Sequence, residues 1–255
     1  MTTQTKTACV VIIGNEILTG RTQDSNLGHI GRKLLDKGIR LMEARVIPDI
    51  EAVIVDTINE LREKFDVVFT TGGIGPTHDD ITADSIAKAF GVKNVLNPQA
   101  RQRLVAYYKG EENLNPGRLR MAHIPEGASL IDNPVSTAPG FNIGNVYVMA
   151  GIPNVMQAML DGVLPNLQGG PPIKSRSISC FIGESVIAKD MGEIAAKYPT
   201  IDIGSYPYFR AGSFGLSLVI RGLDESVIAS AQQDLCLLIT RHGGEPIVHL
   251  EETSP

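Results

Sequence analysis

Between positions 70 and 82 the chain reads Thr-Thr-Gly-Gly-Ile-Gly-Pro-Thr-His-Asp-Asp-Ile-Thr, a run whose residue types suit phosphate and metal chemistry. Gly72, Gly73 and Gly75 have no side chain, so main-chain N–H groups can approach an anion and the backbone can form a concave nest. Pro76 stiffens the exit. Asp79 and Asp80 follow as adjacent hard oxygen donors, of the kind that hold Mg²⁺ or Mn²⁺ against a phosphate. Thr71, Thr77 and Thr82 offer hydroxyls. His78 has no second histidine at ligand spacing, so it is expected to orient the loop or face solvent, not to bind metal. A strand-to-helix turn capped by aspartate also arises for geometry alone, but such a turn needs one or two special residues. This one uses three Gly, one Pro, four Thr and two Asp. Neither Gly-x-x-x-x-Gly-Lys-Ser/Thr nor a Gly-x-Gly-x-x-Gly after the first strand is present, so the loop is not an ordinary nucleotide-binding turn.

The elements that must position this loop can be read from the periodicity. Residues 8–13 (Ala-Cys-Val-Val-Ile-Ile) are continuously apolar and too short for a helix, as expected of a strand buried on both faces of a parallel sheet. They end at Gly14-Asn15-Glu16. Asp24 or Ser25 can cap a helix through about Lys37, stopped by Gly38, and residues 39–47 give a second strand. A helix over 51–64 buries Ile54, Ile58 and Leu61, and Val67-Val68-Phe69 leads into the glycine loop. This βαβαβ order implies a parallel sheet with right-handed crossovers, whose ligands gather at the carboxyl ends of the strands. Glu16 and Asp24 therefore share a rim with the glycine loop. Either is a candidate third carboxylate or general base, against the plain alternatives of an exposed acid for Glu16 and a helix cap for Asp24.

Further along, helices are expected over 82–90, from Asn97-Pro98 to near Gly110, and over 154–167, the last with core methionines. Residues 111–125 read as polar and proline-interrupted. Strands at 128–131 and 146–149 are separated by the small-residue loop Ser136-Thr-Ala-Pro-Gly140. Gln168-Gly-Gly-Pro-Pro172 is the clearest linker. The expected organisation is an α/β domain over 1–168, a linker over 169–173 and a small α+β domain over 174–255. The small domain's βαββαβ order suggests a ferredoxin-like module, in which 205–210 reads equally as a hairpin loop with apolar anchors or as an interface.

The 255 residues are 43% hydrophobic and 20% charged with net charge −5, typical of a soluble globular protein able to bury a full core. Neither domain has the basic surplus of a nucleic-acid binder. The local concentration of Arg101, Arg103, Lys109, Arg118 and Arg120 reads as a solvated face, with an anion-binding patch as its alternative. Cys9, Cys180 and Cys236 lie far apart among apolar neighbours and are expected to be core residues in a reducing compartment. With no signal-peptide pattern at the start and no 18-residue apolar run, a cytoplasmic protein without membrane partners is expected.

Gly14-Asn15-Glu16-Ile-Leu, Asp24-Ser25-Asn26 and Thr71-Gly-Gly-Ile-Gly-Pro-Thr-His-Asp-Asp-Ile-Thr82 together resemble the molybdopterin-binding domain family. The similarity is closer to its CinA-type competence-damage-inducible branch and to the amino-terminal domain of FAD synthases. Residues 122–140 and Gly151-Ile-Pro with Met156 extend it to about 168. Gly183-Glu184-Ser185 and Ser205-Tyr206-Pro207 look like the small domain of the same branch. Ser136 stands where a glycine is usual, and Ala150 where a proline is frequent. The resemblance implies a three-layer α/β/α, mostly parallel fold that often oligomerises, as dimer or trimer, and a phosphate-bearing nucleotide or pterin as ligand. By motif position it also assigns Ser25, Asn26, Gly140 and Gly151 to the ligand site. Three functions are implied: metal-dependent hydrolysis of ADP-ribose-like pyrophosphates with Mg²⁺, Mn²⁺ or Co²⁺, binding or adenylylation of molybdopterin, and non-catalytic nucleotide binding. Full-length relatives also carry a deamidase acting on nicotinamide mononucleotide, which this chain, ending at Pro255, is not expected to include.

Overall fold

The structure is a computed structural model that describes residues 5–210 and 213–249. The chain divides into two units, Met1–Gly170 and Pro171–Pro255.

In the first unit β1 (Lys6–Ile13) is followed by a single helical turn, α1 (Asn15–Leu18), and then by α2 (Asn26–Asp36), β2 (Ile39–Ile47), α3 (Glu51–Lys64) and β3 (Val67–Thr71). Next come α4 (Thr82–Ala89), β4 (Asn94–Leu96), α5 (Pro98–Tyr108) and α6 (Pro116–Arg120). Then follow β5 (His123–Pro125), β6 (Ser129–Ile131), β7 (Gly140–Ile143), β8 (Val146–Met149), α7 (Pro153–Val163) and a 3₁₀ turn at Leu164–Asn166. The main sheet runs β2-β1-β3-β8-β7-β6. β2, β1, β3 and β8 are mutually parallel, and β7 runs against both of its neighbours.

Alternation along β1 sorts its side chains onto the two faces of the sheet. Cys9, Val11 and Ile13 join Ile54, Ile58, Leu61, Ile86 and Leu104 under α3, α4 and α5. Ala8, Val10 and Ile12 join Ile30, Leu34, Met156, Met159 and Leu160 under α2 and α7. Two cores flank one sheet, which makes the expected three layers. The α7 methionines are fully buried packing residues.

Where the sequence leaves residues 111–125 irregular, the chain forms a 3₁₀ turn at Glu111–Asn113, then α6, then β5, which pairs with β4 in a separate two-stranded ribbon. The reading of 136–140 as a loop between two strands also missed β7. Gly140 is its first residue, and a Cβ there would run into the Val148 carbonyl oxygen, so glycine lets β7 lie close against β8.

The second unit is β9 (Lys174–Cys180), α8 (Glu184–Lys197), β10 (Asp202–Arg210), β11 (Ser213–Gly222), α9 (Glu225–Arg241) and β12 (Ile247–His249). Its sheet, β10-β11-β9-β12, is antiparallel throughout. Ile178, Leu216, Leu218 and Ile220 pack against Ile187, Ile228 and Leu235 of the two helices. This is the ferredoxin-like arrangement expected from the element order. Residues 205–210, expected as a hairpin loop, instead continue β10 to Arg210 in register with β11. β10 is an edge strand, where Pro207 is tolerated. The rings of Tyr206 and Tyr208 lie over Gly204 and Gly215, covering main chain that the glycines leave bare.

Among the described residues no helix is long and apolar enough to cross a membrane. Cys9 and Cys180 are buried free thiols and Cys236 is half-buried, all with apolar surroundings.

The entrance to the parallel sheet is held by Asp66. Its Oδ1 accepts from Lys6 Nζ at 2.8 Å and its Oδ2 from the Thr7 N–H and hydroxyl at 2.9 Å each. The Lys6 ammonium, then the Thr7 amide, hold the Asp66 carboxyl at about 2 against an ordinary 3.8. A carboxyl depressed in the folded state contributes stability that is complete above its unfolded value and is lost as pH falls through the folded one. Asp66→Asn is therefore expected to cost about 1 kcal/mol at neutral pH, discounted for solvent screening. In urea unfolding, the gap to wild type should close between pH 3.8 and about 2; a gap that persists below that window would contradict the assignment.

Candidate functional site

β3 delivers Thr71 to the carboxyl edge of the sheet, where the backbone enters the left-handed region at Gly72 (φ +102°) and Gly73 (φ +67°). Both positions also exclude a side chain sterically. A Cβ on Gly72 would strike the Ile13 carbonyl oxygen at the end of β1, and one on Gly73 would strike Thr82 Oγ1. Gly151, just past the end of β8, is also close, though less so: its Cβ would stand 3.3 Å from Gly72 Cα. The rim is thus a tight meeting of three strand ends.

Two kinds of main-chain group result. The Gly72 N–H donates to the Met149 carbonyl at 3.1 Å, while the carbonyls of Gly72 and Gly73 accept from the Thr82 hydroxyl (3.1 Å) and N–H (3.0 Å). Thr82 is completely buried, so its hydroxyl fastens α4 to the loop and is not exposed to a ligand. By contrast, the N–H groups of Gly73, Ile74 and Gly75 have no acceptor among the described residues. Three consecutive uncommitted donors following two positive-φ residues are the kind of main-chain arrangement from which anion-binding nests are built.

The acidic pair closes the same turn. Thr77 Oγ1 lies 2.6 Å from Asp79 Oδ1 and 2.5 Å from Asp80 Oδ2, and the Thr77 N–H donates to Asp80 Oδ2 at 2.8 Å. One hydroxyl carries one proton, so it can donate to only one of those carboxylates. Hydrogen bonding from the Thr77 hydroxyl holds the Asp79 carboxyl below the usual range, assisted by a main-chain N–H. Asp80 is folded over Gly75, whose Cβ would lie 2.7 Å from Asp80 Oδ2. His78 is 98% exposed.

The remaining predicted residues divide by role. Asp24 Oδ1 accepts from the Leu27 N–H at 3.0 Å, so it caps α2, whereas Ser25 makes no capping bond. Asn26 is buried and donates from Nδ2 to the Gly151 carbonyl at 2.8 Å, tying α2 to the β8 end of the rim. Its Oδ1 and the Thr71 hydroxyl are both buried without partners. Glu16 is exposed on α1, and its carboxylate folds back over Gly14, where a Cβ would stand 2.5 Å from Oε1. No bond joins Glu16 to the glycine loop. Gly140 lies in β7, with Pro139 just before it bordering the cleft beside the glycine loop.

Two features escaped the sequence reading. Asn133 organises the 133–138 loop: Nδ2 donates to Ser136 Oγ and the Ala138 carbonyl, and Oδ1 accepts from the N–H groups of Val135 and Ser136. That loop places Thr137 at φ +70°, unusual for a β-branched residue. An Asn-Pro pair was the available signal. The other feature is Arg120, which donates from Nη1 to the carbonyls of Thr77 (3.1 Å) and His78 (3.4 Å) and lines the cleft with Gly73, Gly75 and Asp80. The charge count puts it in a group of five read as a solvated face or an anion-binding patch, without singling it out. Only the fold brings α6 to the loop.

The sequence profile of the family described as "Probable molybdopterin binding domain" matches residues 9–169, and that of "FAD synthase, middle domain" matches 172–243. A CinA-like protein of Desulfosudis oleivorans is 34% identical over 207 residues, 76% of this chain and 50% of its own length. The chain therefore spans about half of that relative. A protein of Pyrococcus furiosus is 32% identical over 239 residues, 87% of this chain and 92% of its own. The solved structure of CinA from Thermoplasma acidophilum, described as of unknown function, superposes with a TM-score of 0.60 at 35% identity. It covers 64% of this chain and 98% of its own.

The shared hydroxyl generates a direct test. In Thr77→Val the Asp79 carboxyl should titrate higher, moving back toward the ordinary aspartate range, as followed by carboxyl-carbon NMR. An unmoved titration would show that the hydroxyl is not what depresses it.

Proposed function

The chain belongs to the molybdopterin-binding-domain family in its CinA-like branch, and on that premise we propose that it is a metal-dependent pyrophosphatase acting on ADP-ribose-like dinucleotides. The observation that carries this reading is the run of uncommitted N–H groups at Gly73, Ile74 and Gly75 directly beside the Asp80 carboxylate. A nest of donors attracts an anion and a carboxylate repels it. The two are compatible when a cation stands between them.

The donor set fits such a cation of the hard, oxygen-seeking class. Among the described residues no cluster of three or more His, Cys, Asp or Glu side chains could enclose a metal. Two carboxylates completed by substrate phosphate and water is how Mg²⁺ is usually held. Asp79 and Asp80 would hold it, and Mg²⁺, Mn²⁺ or Co²⁺ bound there supplies polarisation of a phosphoryl oxygen and acidification of water.

The chain's own residues do the rest. The Gly73–Gly75 amides bind non-bridging oxygens, with most effect on charge that grows as the phosphorus is attacked. The Thr77 hydroxyl and N–H fix the carboxylates in place. Water adds to one phosphorus, the bridging P–O bond breaks, and the bridging oxygen leaves on the second phosphate. Glu16, the unengaged acid on the same rim, is the residue proposed to take the water's proton. Asp24 Oδ1 is engaged in capping α2, so the proton-transfer role is assigned to Glu16 instead.

A second reading has one observation in its favour, the molybdopterin named in the description of the family. In it the same amides and carboxylates hold ATP for adenylyl transfer to a pterin phosphate, with pyrophosphate released.

Incubation with ADP-ribose and Mg²⁺, Mn²⁺ or Co²⁺ should release AMP, resolved by chromatography. Asp79→Asn and Asp80→Asn should each lower that turnover by on the order of a hundredfold while circular dichroism stays native. Full turnover in the double variant would sink the metal-carboxylate mechanism. Pyrophosphate release from ATP only in the presence of molybdopterin would favour the second reading.

A further inference from the structure

The five cations gathered between residues 101 and 120 have different fates in the fold. Arg101 pairs with Glu111, and Arg103 Nη1 meets Asp132 Oδ1 at 2.6 Å. Arg118 stacks 4.0 Å above the Tyr108 ring and donates to the Asn113 carbonyl. Lys109 ends α5 in the left-handed conformation, with φ +59°. Arg120 alone of the five reaches the glycine loop.

The geometry points to Arg120 as an anion-contact residue of that loop, its guanidinium taking an oxygen of a ligand phosphate or diphosphate. Nη1 is engaged by the Thr77 and His78 carbonyls, which aims the planar fork into the cleft. Nε and Nη2 have no partner among the described residues, so donors remain for an external oxygen. The cleft's acids do not neutralise it. Asp80 accepts from the Thr77 N–H and faces the Thr77 hydroxyl, and Asp84 accepts from Asn94 Nδ2 at 2.7 Å. Neither is paired with Arg120. An arginine fixed by carbonyls, beside carboxylates already served by neutral donors, is a positive charge with no internal counterpart.

The anchoring is built into the backbone as well. A Cβ on Gly117 would lie 2.7 Å from the Pro76 carbonyl oxygen, so α6 abuts the turn at Pro76 and grips it again one helical turn later through Arg120. A guanidinium held in position before the ligand arrives loses little freedom on binding.

This inference rests on the functional reading only in needing a phosphate at the glycine loop. The test is calorimetric titration of the full chain with ADP-ribose, inorganic pyrophosphate and adenosine, each with Mg²⁺, at low and high salt. Arg120→Gln, which retains N–H donors for the two carbonyls, should weaken ADP-ribose and pyrophosphate binding about tenfold or more and flatten their salt dependence. Arg120→Lys should recover part of the loss, adenosine binding should not move, and Arg103→Gln should match wild type throughout. Wild-type affinity and salt slope in a folded Arg120→Gln variant would overturn the inference and leave the functional reading standing. Weaker binding with an undiminished salt slope would also overturn it, by assigning Arg120 to holding the turn. A wild-type chain that binds neither ADP-ribose nor pyrophosphate removes both readings.

Discussion

Main-chain crowding at the carboxyl edge of the parallel sheet is the constraint on which the site depends. Gly72 lies so close to the Ile13 carbonyl that no side chain fits between them, and Gly151 lies against Gly72 from the other side. Because β1, β3 and β8 end at one point, the chain leaving β3 must turn at once, through positive φ at two successive residues. Main-chain donors are then left without an acceptor among the described residues, at Gly73, Ile74 and Gly75. The shape of the turn is therefore a product of how closely three strands converge. Any residue other than glycine at position 72 would separate the strands before it altered the ligand.

Electrostatics explains why the acids stand where they do. Asp79 and Asp80 stay together because Thr77 gives them a hydroxyl and an N–H, and Arg120 pulls on the carbonyls of the same turn from outside. The turn thus presents donors, carboxylates and a guanidinium within a few residues, without an ion pair between Arg120 and either acid among the described residues. Charges of opposite sign at such proximity normally pair. Here main-chain carbonyls hold the cation and a threonine holds the anions, so each is fixed without the other.

Much of this was legible in the sequence because it depends on local rules. Apolar continuity in β1, the 3.6-residue period of α3 and the density of glycine after Phe69 each follow from nearest-neighbour chemistry, and each element forms where its pattern places it. Asp24 shows where such rules run out: a rim carboxylate before a helix reads equally as base or cap, and only the bond from the Leu27 N–H decides for the cap. β7 and α6 were not legible for a different reason. Gly140 is in a strand because β8 lies beside it, and α6 has five residues, too few to show a period. Arg120 could not be told from its four basic neighbours by charge or spacing, since what separates them is which carboxylates the fold leaves within reach. The extension of β10 through Pro207 is likewise a property of its edge position and not of its residues.

The distribution of unpaired polar atoms bears on whether this rim is shaped for stability alone. Burying a hydroxyl or amide oxygen without a partner costs about 1–3 kcal/mol, so folds seldom leave such atoms unserved. Among the described residues eight buried side-chain atoms lack partners. Asn26 Oδ1, Thr70 Oγ1, Thr71 Oγ1 and Asn94 Oδ1 are four of them, in the strand end that feeds the glycine loop, the helix tied to Gly151 and the wall of the adjoining cleft. Thr71 points to the α2 and α7 side with Phe69, and Thr70 to the α3 side with Val68, so the unmet demand lies on both faces of the sheet at one end. Valine in place of either threonine would keep the shape and remove the cost. A sequence that holds hydroxyls there keeps a polar demand at the same sheet end as three uncommitted amides, at a cost to stability that packing of the core does not by itself account for.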